Sequence, residues 1–271
     1  MSFTPAPDAV ALTDALVRPG SPWTAVSVVT ESASTNADLV AAARRGAEPG
    51  QILMTDNQTA GRGRLDRSWT TPPGVSVACS VLLRPDGVPA ERWPWLSLMT
   101  GVGLVDGIRA VCDVPVRLKW PNDVLVGDRK LCGLLAERVE TSAGPAVVLG
   151  FGINVSMDAE ELPVDTAISL RLEGAEVSKT ELMIEVLRAL AGAYRLWRDA
   201  PAELAQRYAE RCRTIGLDVR IQLGSDQHVE GRALGIDPAG GLIVRTPSGE
   251  RTFSAGDVVH LRPAAPSSMS H

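Results

Sequence analysis

Four apolar, β-rich runs follow one another along the middle of the chain, at residues 116–120, 124–126, 131–140 and 146–155. The gaps between them are only a few residues long. Parallel neighbours need a crossover of about a dozen residues or more, whereas antiparallel neighbours can be joined by a two-residue turn. Gly127-Asp128 is a turn signal of that kind. The segment predicts a β-meander, and the rest of the chain has to pack around it.

Upstream, residues 23–29 read as a strand. Thr35 and Asp38 have capping-box spacing, which predicts a helix running to Arg45 and stopping at Gly46. Residues 51–55 are a short buried strand and 75–83 a longer one. Between them, residues 56–74 carry three glycines, two prolines and three arginines without visible periodicity. That predicts a long functional loop with no strands of its own. Residues 92–111 repeat Trp95, Leu98, Met99, Val102, Val105 and Ile108 at helical spacing. After the meander, Ser178 and Glu181 form a second capping-box pair before a helix with Leu182, Met183, Val186, Leu187, Leu190, Tyr194 and Trp197 on one face. Pro201 starts another helix, ending near Cys212. The first 20 or so residues predict either a short helix or a loose arm.

From Leu217 the pattern changes. Short β runs at 219–223, 229–236, 242–246 and 258–261 alternate with Gly, Asp and Pro turns. This predicts a small β-barrel of about 45 residues. The final PAAPSSMSH is expected to be disordered. A chain of 271 residues has room for one large domain and one small one.

Composition narrows the function classes. The net charge of −5 argues against broad nucleic-acid binding, which rests on cations neutralising phosphates. Cys79, Cys112, Cys132 and Cys212 show no C-x-x-C spacing, and three histidines give little material for a zinc site. The N-terminus lacks the pattern of a signal peptide, and no apolar run of about 18 residues suggests a membrane span. The expected location is the cytoplasm.

Three segments carry candidate chemistry. In Gly61-Arg62-Gly63-Arg64, glycines permit close backbone approach and arginines present forks of donors for carboxylate or phosphate. A solvated basic loop reads the same way. The third glycine of a Rossmann fingerprint is replaced by Asp66, and no P-loop pattern occurs. In Lys119-Trp120-Pro121-Asn122-Asp123, Pro121 stops the strand and predicts a turn containing Asn122 and Asp123. Beyond the hairpin, Lys130 enters an apolar strand, either as an edge gatekeeper or as a functional cation. The glycines of Gly150-Phe151-Gly152-Ile153-Asn154 mark either a close ligand approach or a β-bulge.

Taken in order, these segments resemble the biotin–protein ligases. GRGRLDRSW is similar to that family's biotin and adenylate loop, and KWPNDVLVGDRKLCG to its strand–turn–strand signature, with lysines at 119 and 130. STN at 34–36, GFGIN at 150–154 and GIDPAGGLIV near 235–244 resemble further segments. The resemblance implies an α/β (α+β) fold, a mixed β-sheet flanked by helices, joined to a small C-terminal SH3-like β-barrel. The implied division is residues 1–215 as a catalytic unit and 216–265 as the barrel, with 266–271 as a disordered tail.

The implied reaction joins biotin to ATP as biotinyl-5′-adenylate, then passes biotin to a lysine of a biotin carboxyl carrier domain. By motif position, Lys130, Arg64 and Asp123 would be catalytic. Ser34, Thr35, Asn36, Gln58, Gly61, Arg62, Lys130, Gly133 and Gly152 would meet biotin. Arg62, Gly63, Arg64, Trp69, Lys119, Asn122, Lys130 and Asn154 would meet ATP or the adenylate, with Trp69 folding over the adenine. Mg²⁺ is implied by the use of ATP, with no ligands assigned. Some members of the family add an N-terminal DNA-binding domain. Only about 20 residues precede Trp23 here, against the roughly 40–50 an independent domain needs, so specific DNA is not an expected partner; nor, without a long apolar run, is a membrane. A lipoate ligase and a non-catalytic biotin-binding module are the alternatives.

Overall fold

The computed structural model describes residues 5–64, 67–223 and 227–261. The expected disordered tail, 266–271, lies outside them. In chain order the elements are α1 (Ala9–Leu16), β1 (Ala25–Val28), α2 (Thr35–Arg44), β2 (Gln51–Thr55), β3 (Gly61–Arg62), β4 (Ser68–Trp69), β5 (Ser76–Leu83), α3 (Trp95–Val111), β6 (Val116–Lys119), β7 (Asp123–Val126), β8 (Arg129–Thr141), β9 (Gly144–Asn154), α4 (Lys179–Asp199), α5 (Pro201–Arg211), β10 (Asp218–Gln222), β11 (His228–Ile236), β12 (Leu242–Thr246), β13 (Gly249–Phe253) and β14 (Asp257–His260).

Among the described residues, seven strands form one mixed sheet in the order β1-β2-β5-β9-β8-β7-β6. Only the β1–β2 pair is parallel; the meander β6 to β9 is antiparallel throughout. Side chains alternate between the faces of a strand, and the two faces build separate cores. Val77, Cys79 and Val81 of β5, with Val147 and Leu149 of β9, pack into the main core, which also takes in Val102 and Val105 of α3 and Val186 and Leu190 of α4. Leu82, Val139, Ala146 and Val148 face the other way, onto Leu39 and Ala43 of α2. The glycines of α3 permit close helix contact: a Cβ at Gly103 would lie 2.7 Å from the backbone of Leu190.

Several local expectations are decided between alternatives or corrected. The N-terminal segment is a helix, capped by Asp8 and docked through buried Leu12 and Leu16. The cap of α2 is Ser34, whose hydroxyl accepts from the Ala37 amide, and not Thr35. Ser34 is extended, so Thr35 is already the first helical residue and its hydroxyl is free to point elsewhere. Within the 56–74 loop, β3 and β4 form a hairpin of two residues per strand, too short to leave a periodic trace. Asp123 is the first residue of β7 and pairs with Lys119 and Gly133, so it is not a turn residue. The ladders through Gly150 and Gly152 run without a register shift, so no bulge lies there.

The C-terminal part is a five-stranded antiparallel sheet, in the order β13-β12-β11-β10-β14. The sequence reading lacks β13, whose sequence GERTF is exposed at all but Phe253 and shows no apolar alternation. The two parts are joined at the meander's first turn. The indole of Trp120 donates to the Gly240 carbonyl at 3.0 Å. The Trp120 amide donates to Thr214 Oγ1 at 3.1 Å, and Thr214 lies 3.0 Å from His260 Nε2. Thr214 thus links the Trp120 backbone to the His260 ring. Burial, together with nearby Lys119 and Arg213, lowers the His260 pKa to about 4, in keeping with a neutral ring.

Candidate active site

The cleft lies on the α2 face of the sheet, where the large core side chains give way to small ones. Leu82 of β5 and Val148 of β9 are paired. One step on along that face, Ser80, Gly150 and Leu135 share a cross-strand row; in the next row, Ala78, Gly152 and Gly133 do. The result is a shallow floor in a sheet that is otherwise covered. A side chain at Gly150 would collide with Asn36 Oδ1, and one at Gly152 would come within 2.7 Å of the Trp69 indole.

Lys130 reaches this floor through an irregularity in β8. Leu125 pairs with Lys130 and Val124 with Cys132, leaving Leu131 as an extra residue. Strict alternation would put Lys130 on the face opposite Gly133 and Leu135. The bulge sends Leu131 and Cys132 together into the main core and returns Lys130 to the cleft. Lys130 Nζ lies 2.7 Å from Asp123 Oδ1, an ion pair not aligned as a hydrogen bond, and 5.5 Å from the centre of the Trp69 ring.

A polar chain lines the wall nearest α2. Gln58 Oε1 accepts from the Thr35 amide at 3.0 Å, and the Thr35 hydroxyl lies 2.7 Å from that of Ser80. Ser80 donates to Asn36 Oδ1 at 2.6 Å, and Asn36 Nδ2 donates to Glu137 Oε2 at 2.8 Å. Glu137 ends the chain in an ion pair with Arg62 at 3.2 Å.

The 56–74 loop crosses the opening. Arg64 Nη1 donates to Asn122 Oδ1 at 2.9 Å, and Asn122 is itself held by a bond from its amide to the Leu134 carbonyl. Arg67 pairs with Asp257 of the C-terminal sheet. The Trp69 ring rests against Gly133 and Gly152. The free volume left is about 140 Å³, less than the roughly 300–1,000 Å³ usual for a ligand site, because an indole occupies the floor.

Of the residues singled out from the sequence, Ser34, Thr35, Asn36, Gln58, Arg62, Gly63, Arg64, Trp69, Asn122, Asp123, Lys130, Gly133 and Gly152 line this one cleft. Gly61, Lys119 and Asn154 do not. A Cβ at Gly61 would strike Gln58 Nε2 and the Trp69 carbonyl, so Gly61 lets β3 and β4 close. Lys119 stands opposite Asp123 in the β6–β7 ladder. Burial lowers its pKa, Lys130 and Arg67 lower it further, and Asp123 and Asp257 oppose them. Asn154 donates to the Ile168 carbonyl at 2.9 Å and more loosely to that of Lys130, bracing the strand that carries Lys130. The sequence reading missed Ser80, Glu137, Arg67 and Asp257. Small residues two apart on β5, Ala78 and Ser80, were the available signal for one of them. Among the described residues no three His, Cys, Asp or Glu side chains converge to hold a metal ion, and no helix is long and apolar enough to cross a membrane.

Comparison with known proteins bears on this geometry. Residues 29–154 match the model of the biotin/lipoate A/B protein ligase family, and residues 214–261 that of the biotin protein ligase C-terminal domain. The chain is 41% identical to a biotin–[acetyl-CoA-carboxylase] ligase of Mycobacterium tuberculosis, over 94% of this chain and 96% of that protein. It is 30% identical to the bifunctional ligase/repressor BirA of Escherichia coli, over 77% of this chain and 66% of that one. Among solved structures, the biotin protein ligase of Aquifex aeolicus in complex with biotin and ATP superposes with a TM-score of 0.74 at 23% identity, covering 89% of this chain and all of that one.

Proposed function

Because the chain belongs to the biotin protein ligase family, we propose that its cleft makes and holds biotinyl-5′-adenylate and then delivers biotin to a lysine of a biotin carboxyl carrier domain. The enzyme is an ATP-dependent ligase. The observation that carries the site assignment is the convergence of a glycine floor, one cation on that floor and three arginines of one loop on a single cleft.

In the first step a carboxylate oxygen of biotin bonds to the α-phosphorus of ATP, the bond to the β-phosphate breaks, and pyrophosphate leaves. The reacting groups are all anionic, so cations must be preset around them. Lys130 meets the biotin carboxylate, and Arg62 and Arg64 meet carboxylate and phosphate oxygens. The hydroxyls and amides of Thr35, Ser80, Asn36 and Gln58 supply donors and acceptors to the polar edge of the biotin rings, while Gly150 and Gly152 leave room for their apolar body. Trp69 has to leave the floor for biotin to enter, and it then covers the adenylate. In the second step the acceptor amine attacks the anhydride carbonyl, an amide forms and AMP leaves. Asp123, beside Lys130, orients that amine.

The nucleotide's magnesium, commonly bound by one or two carboxylates and the phosphates themselves, would be held by Asp123 or Asp257, which line the cleft, and would supply further positive charge to the phosphates. In this reading residues 1–215 are the catalytic unit and 216–265 the small unit that supplies Asp257. The use of ATP implies a cytoplasmic enzyme.

The test is incubation with ATP, magnesium and either biotin or lipoate, followed by pyrophosphate exchange and mass analysis. Biotin-dependent exchange and a biotinyl-adenylate mass are expected. Exchange with lipoate alone would change the substrate, and biotin binding with no exchange would leave a binding module.

A further inference from the structure

Outside both segments matched by the family models lies a lysine buried as completely as any core leucine. Lys179 opens α4, and its side chain is 0% exposed. The first turn of a helix is the wrong end for a cation, because unpaired amides give it positive character. Something must hold the charge there. Lys179 Nζ donates to Asp56 Oδ2 at 2.8 Å and to the Gly74 carbonyl at 2.6 Å. These two residues are the first and last of the 56–74 loop. The Gly74 amide also donates to the Asp56 carbonyl at 2.8 Å. Both ends of the segment carrying Arg62, Arg64, Arg67 and Trp69 are thus gathered on one buried ammonium.

We propose that Lys179 is a positioning residue for the active-site lid: by binding Asp56 and Gly74 together it fixes where the lid begins and ends, and so how readily Arg62, Arg64 and Trp69 come over the cleft. This rests on the ligase reading above. Lys179 does not face the cleft, so its influence passes through the lid's two roots. The Gly74 root is joined to the core a second way, since the Val75 carbonyl accepts from the amides of Val155 and Ser156. The clamp therefore tunes the lid and is not its sole attachment.

The test replaces the ion pair by apolar side chains of similar volume, Lys179→Met with Asp56→Leu, an exchange that buried pairs often tolerate. Lys179→Arg, which keeps the cation, is the rescue. Biotin KM, kcat for carrier biotinylation, thermal unfolding and bystander labelling of serum albumin are measured beside the wild type. The double variant is expected to fold, with biotin KM raised roughly tenfold, because apparent affinity scales with the population of the competent state. Albumin labelling rises in step, and Lys179→Arg restores both. A folded double variant with wild-type KM and wild-type albumin labelling overturns the proposal. A wild type without biotin-dependent exchange would instead overturn the ligase reading and the proposal with it. If the double variant does not fold, hydrogen exchange on the wild type decides. Slow exchange at the Gly74 amide with fast exchange from Gly61 to Trp69 supports the clamp; equally fast exchange at both overturns it.

Discussion

On the floor of the cleft, Ala78, Gly152 and Gly133 stand in one row of three strands, and each strand is laddered to the next without a break in that region. Over the floor, the lid has two short paired segments, Gly61–Arg62 and Ser68–Trp69, and backbone bonds near its roots, from Thr59 to Ser32, Ala60 to Ala33 and Gly74 to Asp56; its arginines tie it to the cleft through side chains. Arg62 reaches Glu137, Arg64 reaches Asn122 and Arg67 reaches Asp257. The first and last partners share long-range ion pairs whose arginines are exposed, and exposed pairs contribute roughly 0–1 kcal/mol each. A floor made by backbone hydrogen bonds has one geometry. A lid made by weak, exchangeable ion pairs has several, and each arginine can trade a protein carboxylate for a ligand phosphate. The two regions carry different duties: the floor shapes the biotin site and carries the chemical step, and the lid sets how readily the ligand is enclosed and how long the intermediate stays.

The sharpest way to break that division is Lys130→Ala, on the floor. Losing a single donor aimed at developing charge typically costs roughly 10²–10³ in rate, so biotin-dependent pyrophosphate exchange should fall by that much while the thermal unfolding curve stays close to wild type. Near-normal exchange would remove the floor from the chemistry.

Arg64→Gly probes the lid. A charge-assisted hydrogen bond contributes about 1.5–3 kcal/mol, which weakens retention by roughly 10–100-fold. The variant should still make adenylate but release it, so that albumin in the same tube becomes biotinylated. Adenylate formed with no labelled albumin would deny the lid its retaining role. No adenylate at all would move Arg64 into the first step.

Gly150→Ala sharpens recognition on the floor. The added methyl collides with Asn36 Oδ1 and disturbs the Thr35–Ser80–Asn36 chain. Overpacking costs about 1–3 kcal/mol, so biotin KM should rise roughly tenfold with kcat largely kept. A fall in kcat at unchanged KM would contradict a recognition role.

The smallest effect concerns the joint behind both regions. The folded state holds His260 near a pKa of about 4, below the ordinary 6.5. The neutral ring is favoured in the fold, so its contribution is complete above about pH 6.5 and is lost as pH falls from there through about 4. For a half-buried ring the loss is about 1–2 kcal/mol after allowing for solvent screening. Denaturant midpoints measured at pH 7 and pH 4.5 should drop less in His260→Gln than in wild type. An equal drop in both would show that the histidine does not couple the C-terminal sheet to Trp120.

Much of the fold was legible because it is written locally. The meander, the Gly127-Asp128 hairpin and the helices α3 and α4 follow from alternation, turn chemistry and a 3.6-residue period, all properties of neighbouring residues. β13 was not legible, because an outer strand with one buried residue has no apolar alternation to show. At the site, the glycines and cations of two motifs could be picked out, yet Glu137, Arg67 and Asp257 could not be matched with their partners. Those pairs join residues 75 and 190 positions apart in sequence.

By itself, then, the amino-acid order determined the helices α2 to α5 and all strands but β3, β4 and β13, and which residue types were available for anion chemistry. The tertiary structure decided which face each side chain serves. Lys130 is the clearest case: one extra residue at Leu131 turns it from the core face to the cleft, and that bulge exists only in the pairing of β8 with β7. Lys179 is the other. In sequence it is an unremarked residue at a helix start, and it becomes the tie between two loop ends only when α4 packs beside them. Register and long-range burial are relations between distant segments, and no local pattern encodes them.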